Sequence, residues 1–196
     1  MRTRNTDKVQ LVKSKAIDLL LRDGLEGFSV NKLAKECGIS VATLYIYYKD
    51  KDDLIMQIGM EEVRKMSAQM LEGFDPEAKF EEGLRVQWKN RAKCVLNNPK
   101  IAQLFEQLRT STYHEAIMDA FKNEFKEHMG RFMKNAVDRG EILAMPVEVY
   151  WSIAYAPLYN LLRFHNEGRS LAGKKFVIND KIMWQTFDLV LRALKK

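Results

Sequence analysis

The side chains with the densest chemical capability in this sequence lie in one run, Thr43-Leu44-Tyr45-Ile46-Tyr47-Tyr48-Lys49-Asp50-Lys51. Phenol hydroxyls donate hydrogen bonds and ammonium groups carry fixed positive charge. Tyr45, Tyr47, Lys49 and Lys51 are therefore suited to gripping phosphate oxygens on either side of a groove. The residues just before them, Val41, Ala42 and Thr43, are short. A helix that presents short residues at its N-terminal end can enter a DNA major groove about 12 Å wide. Other reactive groups form no constellation. His114, His128 and His165 sit apart, and none follows a Glu by three residues, so the di-iron bundle motif is missing. There is no His-Glu-x-x-His, no glycine-rich phosphate loop and no cysteine pair at zinc spacing. The expectation is a protein with no catalytic residue, no metal site and no cofactor, and not an enzyme.

These residues need elements to position them, and nearly every segment has helical periodicity. Val9, Val12, Ala16, Leu19 and Leu20 recur at three- and four-residue steps, which predicts a helix from about Thr6 to Asp23 with Gly24 as its stop. Ser29 is a good N-cap for a short helix whose apolar face is Val30, Leu33, Ala34 and Cys37. Gly38-Ile39-Ser40 interrupts, and Ser40 can cap a second helix from Val41 to about Tyr47. Two short helices joined by a three-residue, glycine-containing turn make a helix-turn-helix. Ala34 is small enough for the helices to cross closely. Gly38 stands where the chain must turn with φ > 0, which is cheap only for glycine. Ile39 and Leu44 fill the wedge, leaving Val41, Ala42, Thr43, Tyr45 and Ile46 outward. Tyr48 and one of the Tyr45 and Tyr47 rings are expected to serve the core, Lys49 to be simply solvated, and Cys37 to be a small core hydrophobe.

Asp50 caps a long helix with Asp53 three residues on, where carboxylates suit the positive end of the dipole. The remaining punctuation reads as longer helices. Asp75-Pro76 starts one carrying Phe80, Leu84, Trp88, Ala92 and Val95. Pro99 starts the next, Gly140 ends a third, Pro146 to Gly168 bound a fourth, and Asn179 caps the last. Pro157 should kink the fourth. The fold expected is all-α: an N-terminal three-helix head with the helix-turn-helix over residues 1–50, and a helical bundle over 51–196.

Charge agrees with this division. The 196 residues carry a net +6, and residues 1–49 hold nine Lys or Arg against five Asp or Glu. The basic surplus is thus concentrated in the first quarter, which suits a polyanionic partner. No stretch approaches the roughly 18 uncharged apolar residues of a membrane span, so no membrane role is expected. Arg2, Arg4 and Lys8 lead into no uninterrupted apolar core, so no secretory leader is expected either. Two cysteines, Cys37 and Cys94, cannot build a disulfide framework, which fits a reducing cytoplasm.

Ser29-Val30-Asn31-Lys32-Leu33-Ala34, then Cys37-Gly38-Ile39-Ser40, then the Thr43 to Lys51 run resemble the signature of TetR-family transcriptional regulators. The resemblance covers about residues 8–56. It implies that Asn31 reaches DNA, that Val41, Ala42 and Thr43 read bases, and that Tyr45, Tyr47 and Lys51 contact phosphates. Val41 and Ile46 are apolar where many members carry a hydrogen-bonding side chain, so readout here should lean on thymine methyls and DNA shape. The resemblance also implies a cavity in the bundle for a small-molecule effector. The soft methionines and the aromatics suit an apolar or aromatic one. Trp88, Phe105, Phe121 and Tyr155 are the expected lining residues.

The last two helices, about residues 146–168 and 180–195, are apolar nearly all round. Val147, Trp151, Ala154, Leu158, Leu161 and His165 form a heptad-like seam, and Met183, Phe187, Val190 and Leu194 a second row. Such helices need burial on two sides. One side can meet the chain's own core and the other a symmetry mate, giving a homodimer. The function expected is that of a ligand-responsive transcriptional repressor. It would bind a palindromic double-stranded DNA operator as a homodimer and be released by its effector. The alternative is a helical protein-interaction or ligand-sequestering module with a vestigial helix-turn-helix.

Overall fold

The computed structural model describes the backbone of residues 2–196 and the side chains of residues 7–119 and 125–196. Among the described residues ten helices follow one another: α1 (Arg2–Gly27), α2 (Val30–Cys37), α3 (Val41–Tyr45), α4 (Lys51–Met70), α5 (Phe80–Asn97), α6 (Pro99–Leu108), α7 (His114–Asp138), α8 (Val147–Ala154), α9 (Ala156–Glu167) and α10 (Asp180–Leu194). Among the described residues there is no strand, only two isolated bridges, Ile142 with Lys195 and Arg169 with Lys175. The all-α expectation holds.

The chain packs into two compact units, residues 1–65 with 98–121, and residues 66–97 with 122–196. In the first, Ala16, Leu19 and Leu20 of α1, Leu33 of α2, Leu44 of α3, Leu54 and Ile55 of α4, and Leu104 of α6 form one buried cluster. The spacing of these residues explains the helices: each element turns one apolar face to a common centre. Gly59 of α4 lies against Ile117 of α7, so close that a Cβ there would sit 2.4 Å from Ile117 Cδ1.

The second unit is built on α5, whose Phe80, Leu84 and Trp88 are completely buried. Helices α8, α9 and α10 pack on one another, and α5 packs on α9 and α10. Phe132 of α7 stacks on Phe80 at 5.8 Å between ring centroids and meets Phe74 edge-on at 5.1 Å.

Several boundaries differ from expectation for physical reasons. Gly24 breaks α1 as predicted, with φ 71° and ψ 174°, and what the sequence does not announce is the short helical turn that continues beyond this kink to Gly27. Helix α3 stops at Tyr45, two residues early. Asp75 makes only a local turn, accepting from Glu77 N at 2.8 Å, and α5 begins at Phe80. Its first N–H is capped by Glu141, which lies 61 residues further on and which no local pattern announces. The fourth predicted helix is broken, not kinked: Tyr155, at φ −124° and ψ −30°, separates α8 from α9, and Pro157 falls in the first turn of α9.

Candidate nucleic-acid interface

The α2–α3 pair starts from two backbone facts. Gly38 takes φ 64° and ψ 32°, and its N–H donates to Lys35 O at 3.2 Å. Ile39 N then donates to Ala34 O at 3.1 Å, so α2 ends in a glycine cap that turns the chain sharply. Ser40 caps α3: its Oγ accepts from Thr43 N at 3.1 Å and shares a hydrogen bond with Thr43 Oγ1 at 2.8 Å. Ser29, by contrast, makes no side-chain cap. Leu33, Ala34 and Leu44 are buried, as the wedge requires.

Anchoring by Leu44 decides which way α3 faces. Ala42 is exposed, Tyr45 is 53% exposed and Ile46 is 76% exposed. Val41 and Thr43 are half-buried, Val41 against the core. Tyr48 is buried and Tyr47 half-buried against the same core, so of the three tyrosines Tyr45 is the one that stands free to the solvent side. Asn31, the second residue of α2, is exposed, as are Lys35 and Lys49, which hold no ion pair among the described residues. Other cations here are engaged. Arg22 binds Glu36 at 2.9 Å, and Lys32 binds Asp23 at 3.0 Å. Hydrogen bonds from Arg22 and Lys32 hold the Asp23 carboxyl down at about 2.

Lys51 is placed differently from expectation. It is half-buried, and its ammonium donates to the Leu25 carbonyl at 2.8 Å. That bond ties the start of α4 to the end of α1 and commits one of the three ammonium N–H groups inside the protein. The start of α4 holds two further ties, of which the first has no signal in the sequence. Tyr113 Oη donates to Asp52 Oδ1 at 2.6 Å; burial first, and then this bond, push the phenol up to about 12. Asp53 Oδ2 accepts from Lys49 N at 2.8 Å and from Gln57 Nε2 at 2.9 Å, while Asp53 N donates to Asp50 Oδ1 at 2.8 Å. The Asp50-x-x-Asp53 spacing carried the signal for this reciprocal cap, and the structure extends it by one residue to Lys49.

Known proteins agree with this geometry. The family model described as bacterial regulatory proteins, tetR family, matches residues 14–58. An uncharacterized HTH-type transcriptional regulator from Haemophilus influenzae is 32% identical over 123 residues, covering 63% of this chain and 66% of that protein. Among solved structures, a TetR family transcription regulator from Marinobacter aquaeolei superposes with a TM-score of 0.84 at 23% identity, covering all of both chains. A TetR-family transcriptional regulator from Haemophilus influenzae superposes with a TM-score of 0.79 at 24% identity, covering 98% of this chain and 99% of that one. The chain belongs to the TetR family of transcriptional regulators. Its helix-turn-helix is the DNA-binding element of that family.

The reciprocal cap gives this TetR-family regulator an acid-sensitive joint. The hydrogen bond from Lys49 N, and then that from Gln57, hold the Asp53 carboxyl below its usual range. A depressed folded pKa means the stabilisation is complete above the ordinary carboxylate value of about 4 and is lost as pH falls through the folded value. Asp53→Asn should therefore lower the thermal midpoint at pH 7, and the gap to wild type should shrink as pH falls below about 4. A gap that stays constant down to pH 3 would show that Asp53 stabilises through packing alone.

In the second unit the expected effector residues separate. Trp88 is completely buried; it meets Phe187 edge-on at 5.3 Å and donates Nε1–H to Ala154 O at 2.8 Å. Tyr155 is buried too, its hydroxyl 3.3 Å from that of Tyr150. Phe105 belongs to the first unit and packs against the buried cluster there. The Phe121 side chain lies outside the described residues. No helix among the described residues is long and apolar enough to cross a membrane, and no group of three or more His, Cys, Asp or Glu among them could hold a metal ion.

Proposed function

We propose that this TetR-family regulator is a cytoplasmic, ligand-responsive repressor that binds a palindromic operator as a homodimer and leaves it when a small apolar or aromatic effector binds. The observation that carries the reading is the exposed tip of α3: Ala42, Tyr45 and Ile46 point to solvent from a helix fixed by buried Leu44. In this reading Asn31, Val41, Ala42 and Thr43 meet bases or their edges, Tyr45 and Tyr47 meet phosphates, and Lys51 adds its remaining N–H groups to the same strand. Residues 1–50 carry DNA binding and 51–196 carry effector binding and dimerisation.

Dimerisation is supported by what stays uncovered on the last helices. Val147, Val149 and Trp151 of α8 and Leu189 of α10 are exposed, while Met183, Phe187, Val190 and Leu194 of α10 turn inward. An apolar face of that kind on a monomer marks an interaction surface. A homodimer carries two α3 tips, one for each half-site of a palindromic operator. The effector shifts operator affinity by its differential affinity for two conformers, with α4, which runs from the first unit into the second, as the lever.

The test is selection of bound duplexes from random DNA, then titration of the best duplex at several salt concentrations. Tyr45→Ala and Ile46→Glu should each weaken binding by roughly ten-fold or more, the scale of one lost or repelled contact, without lowering the thermal midpoint. Lys51→Ala should reduce the salt slope by about one. If no duplex is enriched, or binding shows no salt dependence, the interaction-module alternative is the better reading.

A further inference from the structure

Arg91 is the one buried cation among the described residues, 4% exposed and set on the inward face of α5. No carboxylate among the described residues pairs with it. Its Nη1 donates to the Tyr159 hydroxyl at 2.8 Å and touches Met70 Sδ at 3.7 Å. Its Nε is buried and has no hydrogen-bond partner among the described residues. Aromatic faces surround the guanidinium: Tyr155 at 4.0 Å, Phe125 at 5.4 Å and Tyr159 at 5.9 Å to the ring centroids. One turn earlier on the same face, Gln87 is fully buried, and its Oε1 is also unpartnered.

A buried cation is ordinarily matched by an anion or replaced by an apolar side chain, because desolvation of an unpaired charge is costly. Cation–π contact offsets part of that cost and leaves the charge itself uncompensated. The unpartnered Nε lies on the edge of the guanidinium that, with Nη2, receives a carboxylate in a two-pronged pair. One cation, with no second buried cation beside it, matches a single negative charge better than a phosphate dianion. The aromatic rings around it match an apolar body. We propose that Arg91 is the anchor for a monocarboxylate ligand with an aliphatic or aromatic body, taken into the second unit with its carboxylate on the Nε edge of Arg91. This inference deepens the ligand-responsive reading and rests on it.

Two acid–alcohol pairs test the charge preference with the full chain: decanoate against 1-decanol, and 2-naphthoate against 2-naphthylmethanol. Binding is followed by calorimetry, and release of the selected duplex by fluorescence anisotropy. In each pair the acid should bind at least about ten-fold more tightly, as a charge-assisted two-pronged pair requires. Arg91→Met should bring the ratio to about one and keep or raise the thermal midpoint, since it exchanges an unpaired charge for an apolar side chain of similar length. Equal binding of acid and alcohol by the wild type overturns the proposal without recourse to any variant. So does a preference that survives in Arg91→Met. If Arg91→Met does not fold, Arg91 is a structural strut and the proposal also falls. Should the alcohols release the duplex while the acids do not, the carboxylate anchor is wrong and ligand response stands. Should no probe bind, the carboxylate anchor fails for these bodies. If the duplex itself is also not bound, the regulator reading fails with it.

Discussion

Trp88→Ala should destabilise the protein by about 3–5 kcal/mol, read from urea unfolding followed by circular dichroism. Trp88 is completely buried, and its ring packs edge-on against Phe187 at 5.3 Å. Truncation removes that apolar area and leaves a cavity. It also strips the Ala154 carbonyl, the last of α8, of the indole N–H that donates to it at 2.8 Å. Trp88→Phe isolates the second loss: it keeps most of the ring and should still cost about 1–3 kcal/mol for a buried acceptor left without its donor. Against a total stability of roughly 5–15 kcal/mol, that loss removes between about a fifth and all of the margin. A cost under about 1 kcal/mol would mean that the α5–α8 tie is dispensable.

The second large effect concerns a glycine that helix propensity alone would remove. Gly83 lies inside α5, where glycine is roughly 1 kcal/mol worse than alanine. A Cβ at this position would stand 2.3 Å from Phe132 Cε2 and 2.6 Å from Cζ. The Phe132 ring has no free direction of retreat, since it is buried, stacked on Phe80 and met edge-on by Phe74. Gly83→Ala should therefore destabilise by about 1–3 kcal/mol in spite of the better propensity, and Gly83→Val by more. Adding Phe132→Leu to Gly83→Ala should cost less than the two single changes summed, because the smaller side chain relieves the overlap. Gly130 of α7 is the control. A Cβ there would meet nothing within 4 Å, so Gly130→Ala should be neutral or stabilising by up to about 1 kcal/mol.

Both positions show where the sequence speaks and where it is silent. The helix-turn-helix was legible because its determinants are local: Ala34, Gly38, Ser40 and Leu44 act within a dozen residues of one another. The reciprocal cap of α4 was legible for the same reason. Gly83 carried no such signal, since its reason lies 49 residues away in Phe132. The start of α5 was misplaced because Asp75-Pro76 looks like a helix start, whereas the cap that matters comes from distant Glu141. Pro157 signals a disturbance, and what residue type does not show is that Tyr155, at φ −124° and ψ −30°, breaks the helix two residues before it. Lys51 shows a further limit. Its charge and position suited phosphate, yet the Leu25 carbonyl that holds it is invisible to side-chain pattern.

Helix α3 is only five residues long, too short to persist by its own hydrogen bonds. Its shape is borrowed from Leu44 beneath it and from the Ser40 and Gly38 bonds before it. The outward residues Ala42, Tyr45 and Ile46 add little to that scaffold, and substitutions at such surface positions ordinarily alter stability by under about 0.5 kcal/mol. In the DNA-reading role proposed for this tip, target choice and foldability would be decoupled in adjacent residues, and a lineage carrying this head would be free to explore new promoters by single substitutions there without first acquiring a compensating mutation.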